Sequence, residues 1–134
     1  MDCIFCKILA GSIPSEKIFE DDEVMAFLDI QPVNKGHTLV IPKTHSPNFL
    51  EIDDLVLENM ITRVKKVALA VKKATGAAGI NVSANTGKAA DQTVFHLHFH
   101  IIPRFDSDGL QPWPHSESEP KSRKDLAEEI KKHL

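Results

Sequence analysis

Between Thr93 and Pro103 the chain reads Thr-Val-Phe-His-Leu-His-Phe-His-Ile-Ile-Pro, with His96, His98 and His100 at alternate positions. Imidazole is the side chain that can act near neutral pH as nucleophile, general acid or base, or metal ligand. Three readings are open to such a set. It could be a polar, solvated face, a task that charged or Ser/Thr residues would serve as well. It could be a metal site. It could be a nucleophilic centre, with the middle His98 attacking and its neighbours orienting it and binding developing negative charge. A second group with chemical capacity is Cys3-x-x-Cys6. A redox pair of that spacing would follow a strand, for which there is no room here; two buried thiols, or half of a tetrahedral zinc set, remain.

The elements that must position these residues follow from periodicity. Alternation puts the three histidines on one face of a strand over 93–103 and Phe95, Leu97, Phe99 and Ile101 on the other, a core face, with the strand ending at Pro103. A short helix is expected over Phe5–Leu9, stopped by Gly11 and Pro14. Strands are expected at Ile18–Glu20, Val24–Leu28, Thr38–Ile41 and Ile80–Ala84, with loops at 29–36 and 85–92. Asp53 is placed to N-cap a long helix reaching about Ala74, its apolar side carried by Val56, Met60, Val64, Val67 and Val71, with Gly76 ending it. Beyond Arg104 the sequence is irregular to Glu119. Trp113 in that stretch is expected to dock, and Ser122 with Asp125 suggests a capped amphipathic helix bearing Leu126, Ala127, Ile130 and Leu134. The expected architecture is α+β: an antiparallel sheet of about five strands, one long helix and short terminal helices.

The chain has 134 residues, the size of a single domain, read as 1–105 with a tail at 106–134 that belongs to the same domain. A net charge of −3 supplies no basic field, so nucleic acid is not expected as a partner. No apolar run approaches the ~20 residues that cross a bilayer, and no membrane partner is expected. The start lacks signal-peptide character, and two cysteines read as thiols in a reducing compartment, so a cytoplasmic location is expected.

His96-Leu97-His98-Phe99-His100-Ile101-Ile102 resembles the signature of the histidine triad (HIT) family. Phe27-Leu28-Asp29-Ile30, Gly36-His37-Thr38-Leu39-Val40-Ile41-Pro42-Lys43-Thr44-His45 and Gln92-Thr93-Val94 match further family blocks in the same order, closest to the bacterial-type and Hint-like members. The resemblance covers about Phe5 to Arg104. It implies the HIT fold, a homodimer, and a nucleotide hydrolase or transferase acting at an α-phosphate through a covalent nucleotidyl-histidine. His98 would be the nucleophile, His100 would contact the non-bridging phosphate oxygens, and His37 would complete the proton network. Gln92 and Thr93, beside the Asp91 loop, would line the phosphate and leaving-group side, and Asn85 would bond the phosphate. Phe5, Ile8, Phe27 and Leu39 would wall the base of a purine nucleotide, with Asp29 on the ribose and Ile30 beside it; each of the four apolar residues fits a plain core equally well. Some bacterial-type members resemble this chain in completing a structural zinc site from the equivalents of Cys3, Cys6, His45 and His96.

One departure bears on substrate. The family loop is usually rich in Gly before the Gln, whereas this chain has Ala89-Ala90-Asp91. Asp disfavours backbone that Gly allows, and its charge repels an anionic leaving group. The expected substrate is therefore a nucleoside phosphoramidate. A dinucleoside polyphosphate hydrolase, a non-catalytic nucleotide-binding zinc protein, and a metalloenzyme using all three strand histidines are the alternatives. Trp113 lies near where Hint-like members carry a tryptophan that reaches towards the partner's site.

Overall fold

The computed structural model describes residues 2–134. Helix α1 (Ile4–Leu9) is followed by strands β1 (Lys17–Glu20), β2 (Val24–Leu28) and β3 (Thr38–Pro42), helix α2 (Asp54–Thr75), strand β4 (Gly79–Ser83), a short 3-10 turn at Lys88–Ala90, strand β5 (Phe99–Arg104) and helix α3 (Pro120–Lys131). The sheet order is β1-β2-β3-β5-β4, antiparallel throughout. The β1–β2 turn closes because Asp21 Oδ1 accepts from the N–H groups of Glu23 and Val24. Asp53 caps α2 through Leu55 and Val56, and Gly76 ends it at φ +70, where an L side chain is disfavoured.

Two apolar layers flank the sheet. On one face Val24, Ala26, Val40, Leu97, Phe99 and Ile101 pack against the Met60, Val64, Val67 and Val71 stripe of α2. On the other, Met25, Phe27, Leu39 and Ile41 pack against Phe5 of α1, with Ile8 and Leu9 alongside. The long helix therefore takes the face opposite the histidines, and the short N-terminal helix takes theirs.

Several local expectations are corrected. The regular strand runs only from Phe99 to Arg104, not from Thr93. The β3–β5 ladder ends at the Val40–Phe99 pair although β3 runs on to Pro42: Leu97 N–H donates to the Ser46 carbonyl instead, and the Pro42 carbonyl accepts from His96 Nε2. β4 ends opposite His100, so residues 93–98 have no ladder on either side. Phe95, expected in the core, is accordingly exposed. Pro103 does not end the strand. It pairs with Ile80, while its carbonyl accepts from Asn34 Nδ2 on the side where β3 has not yet begun, so the missing donor costs no ladder bond. The C-terminal helix begins at Pro120 with Glu119 before it and without a side-chain cap; Ser122 lies inside it. Trp113 is 82% exposed and does not dock on its own chain.

Candidate functional site

The histidine face is set by β5 and the bent segment before it. His98 Nδ1 lies 2.8 Å from the carbonyl of His96. A carbonyl only accepts, so Nδ1 carries the proton and Nε2 presents a bare lone pair. Burial lowers the pKa of His98, opposed by that hydrogen bond and by the charge of Asp29, and the ring is held neutral at physiological pH. Phe5 of α1 meets the His98 ring edge-on, at 5.1 Å between centroids.

His100 is set the other way, from a distance. The backbone N–H of Val33 donates to His37 Nδ1 at 3.0 Å. His37 must then carry its proton on Nε2, which donates to His100 Nδ1 at 2.9 Å. With Nδ1 accepting, His100 holds its own proton on Nε2 as an outward donor. Burial, then the charges of His98 and His37, bring the pKa of His100 down to about 4, against a smaller opposite pull from Asp29. The rings of His98 and His100 are 4.9 Å apart. One presents a lone pair and the other an N–H on the same face.

Asp29, His37 and His100 also bring their ligand atoms within 4.8 Å of one another. A metal on His37 Nε2 would move the proton to Nδ1, against the Val33 N–H, so this trio is better suited to proton relay than to a cation. Asp29 Oδ2 lies 3.6 Å from His37 Nε2. Its Oδ1 accepts from Gln31 N–H.

The second cluster has the opposite character. Cys3 Sγ, Cys6 Sγ, His45 Nδ1 and His96 Nδ1 converge at the start of α1. Sulfur-to-nitrogen distances are 3.5 Å for Cys3–His96, 3.4 Å for Cys6–His45 and 3.6 Å for Cys6–His96, and the two nitrogens are 3.1 Å apart. A tetrahedral dication with Zn–S and Zn–N bonds of about 2.3 and 2.0 Å has edges of about 3.3–3.8 Å. His96 Nε2 donates to the Pro42 carbonyl at 2.9 Å, which leaves Nδ1 bare and facing the other three. Burial, and behind it the neighbouring Cys3, push the Cys6 thiol up, so a thiolate here calls for a cation beside it. These four donors fit a closed S2N2 zinc site.

The remaining sequence-derived residues are distributed as follows. Phe5, Phe27 and Leu39 are buried beneath the histidine face with Ile8 partly covered, and Ile30 stands 91% exposed at the rim. Gln92 is buried and committed: its Nε2 donates to the Pro47 and Val94 carbonyls, and its Oε1 accepts from Gly87 N–H. Contact with a phosphate would require it to release one of them. Asn85 Nδ2 reaches the Asp91 carbonyl at 3.4 Å. Asp91 sits at φ +63, so the backbone does take the left-handed conformation, with the exposed carboxylate retained. Thr93 is exposed and, with His45 and Phe95, lines a cavity of about 410 Å³ beside the cysteines. Sequence reasoning missed the Val33 N–H, a backbone group with no residue signature. It also missed Asn34 and Asp108, whose partners are remote in sequence.

The HIT domain family model matches residues 10–107. The chain is 46% identical over 132 residues to the adenosine 5'-monophosphoramidase hnt1 of Schizosaccharomyces pombe, covering 97% of this chain and 96% of that one. A HIT family protein structure from Bacillus subtilis superposes with a TM-score of 0.93 at 43% identity, covering 100% of this chain and 98% of the other. A Zn-bound histidine triad family protein from Mycobacterium smegmatis superposes with a TM-score of 0.78 at 39% identity, covering 92% and 89%.

Proposed function

The chain belongs to the HIT family, and from that premise we propose that it hydrolyses purine nucleoside phosphoramidates through a covalent intermediate on His98. The observation that carries this reading is the opposed setting of two neighbouring imidazoles, His98 with Nε2 bare and His100 with Nε2 protonated. The lone pair of His98 Nε2 forms a bond to the α-phosphorus as the P–N bond to the leaving amine breaks. That electron pair stays on the amine nitrogen, which takes up a proton from the open side of the site. The imidazolium so formed is stabilised by its Nδ1–H on the His96 carbonyl, while His100 Nε2–H donates to a non-bridging oxygen as charge builds there. Water then attacks phosphorus and gives up a proton to the open side of the site as the P–Nε2 bond breaks, its electrons return to His98, and the nucleoside monophosphate leaves.

Phe5, Ile8, Phe27 and Leu39 wall the base and Asp29 accepts from the ribose hydroxyls, with Ile30 at the rim. Asn85, Gln92 and Thr93 border the phosphate and leaving group. A neutral or cationic leaving group is favoured because the exposed Asp91 carboxylate belongs to the loop that Asn85 clamps. Zinc on Cys3, Cys6, His45 and His96 is structural: it fastens α1, and with it Phe5, to the sheet beside His98. We place the working unit as a homodimer.

The test is hydrolysis of adenosine 5'-phosphoramidate by the wild type and by His98→Ala, with acid-quenched samples examined by mass spectrometry. Turnover lost by about a thousandfold or more in the variant, with a nucleotidyl adduct on His98 of the wild type, is expected. Adenosine monophosphate binding without turnover by the wild type would instead support a non-catalytic nucleotide-binding protein. Faster cleavage of a diadenosine polyphosphate than of the phosphoramidate would overturn the leaving-group assignment.

A further inference from the structure

The proton on His100 is placed, through His37, by the backbone amide of Val33, and that amide belongs to a loop. The 33–37 turn must be held rigidly for Val33 N–H to stay 3.0 Å from His37 Nδ1. Asn34 supplies the hold. Its carbonyl accepts from His37 N–H at 3.0 Å, closing the turn. Its Nδ2 donates both to the Pro103 carbonyl at 2.9 Å and to Asp108 Oδ2 at 3.0 Å.

Asp108 is itself fixed, its side chain only 8% exposed. Its carboxylate accepts from Arg104 Nε, Arg104 Nη2 and the N–H groups of Phe105 and Leu110. On the other side, Gly36 presses so close to Thr75 and Pro103 that a Cβ would lie 2.6 Å from Thr75 Cγ2.

We propose that Asn34 is a positioning residue for the reaction: by tying the 33–37 turn to Pro103 and Asp108 it keeps Val33 N–H on His37 Nδ1, and so keeps the proton of His100 on the nitrogen that faces substrate. The proposal rests on the His98–His100 reading for its effect on rate, and stands apart from it for the tautomers. Neither end of the tether touches substrate; Asn34 acts through the turn, His37 and His100 in sequence.

The test combines kinetics with the tautomers of His37 and His100, read in 15N-labelled protein by long-range proton–nitrogen correlation. In the wild type both rings are expected as Nε2–H; His37 protonated on Nδ1 would overturn the proposal without any variant. In Asn34→Ala the His37 and His100 spectra are expected to move towards mixed tautomers, with kcat down about tenfold and KM within about twofold. Asn34→Asp, which cannot donate to Pro103 or Asp108, is expected to behave the same way and serves if the alanine variant does not fold. A folded variant with unchanged tautomers and kcat would overturn the proposal. Wild-type protein with the expected tautomers but no phosphoramidate turnover would count against the proposed function and leave the tether standing.

Discussion

His98 and His100 are the same side chain two positions apart, and the atom each offers to solvent is decided by what its Nδ1 touches. For His98 that is a carbonyl in its own bent segment; for His100 it is a ring on β3's approach loop. Removing His37 should therefore damage His100 more than its own absence from the substrate would suggest. His37→Ala frees His100 Nδ1 to take the proton, and kcat is expected to fall about 10- to 100-fold with KM little changed, measured in the same phosphoramidate assay. Protonation has a second consequence, for stability. The folded protein holds His100 at about 4, below the ordinary 6.5 that the unfolded chain regains. Between those values the unfolded state binds more protons, so the contribution is whole above about pH 6.5 and is lost as pH falls through the folded value. Urea midpoints are expected to drop from pH 7 to pH 5, and His100→Gln to show a shallower drop. Equal slopes for the two proteins would remove His100 as the source.

At the scale of elements, the chemistry depends on how two short segments are fastened. α1 spans six residues, too few to persist as an isolated helix. It is held by Phe5 in the apolar layer and by the Cys3, Cys6, His45 and His96 cluster. Cys6→Ala is expected to lose the metal, measured by elemental analysis, and to lower the melting temperature more than it lowers kcat; equal zinc in both proteins would exclude the site. The 33–37 turn depends on Gly36, at φ +91 against Thr75. Gly36→Ala is strained in backbone and in contact, and a loss of about 1–3 kcal/mol is expected in denaturant titration. Much of this level was readable from sequence. The α2 stripe, its Asp53 cap, β2 and β3 all lie where periodicity and turn residues place them, because those signals are local. The start of β5 was not readable, since alternation from Phe95 onward looks the same whether or not a neighbouring strand is present. The β3–β5 ladder stops at Val40 and β4 at Ser83, and only the sheet register reveals it. The Cys3, Cys6, His45 and His96 set was assembled by family pattern, and the four side chains do converge, whereas the tether through Asn34 and Asp108 joins residues that no local rule connects.

At the scale of the molecule, one half-property is left over: the chain exposes apolar surface that its own fold does not use. From Gln111 to the C-terminus every residue is exposed. Leu126 and Ile130 are 60% and 54% exposed along one side of α3, Leu134 continues the line, and Trp113 stands free at the base of the arm. A 12-residue helix with no covered face is marginal in water, and its apolar side is free to lie on another surface. A second unpartnered patch lies where α2 meets β4, the edge strand: Ile61, Leu69 and Val82 are 45%, 62% and 47% exposed around a cavity of about 370 Å³. Two such apolar patches are the surfaces on which the proposed pairing with a second copy would rest. The full chain is expected to sediment as a dimer of the 14.9 kDa subunit. Leu126→Glu combined with Ile130→Glu should weaken dimerisation at least about tenfold with metal content unchanged from the wild type, and Trp113→Ala alone should have a smaller effect. Because Asp108 anchors both the start of the arm and the 33–37 turn, the arm variants should also be followed by the His100 tautomer. A monomeric wild type at micromolar concentration would sink the pairing, and a dimer indifferent to the arm would assign it to the α2–β4 patch alone.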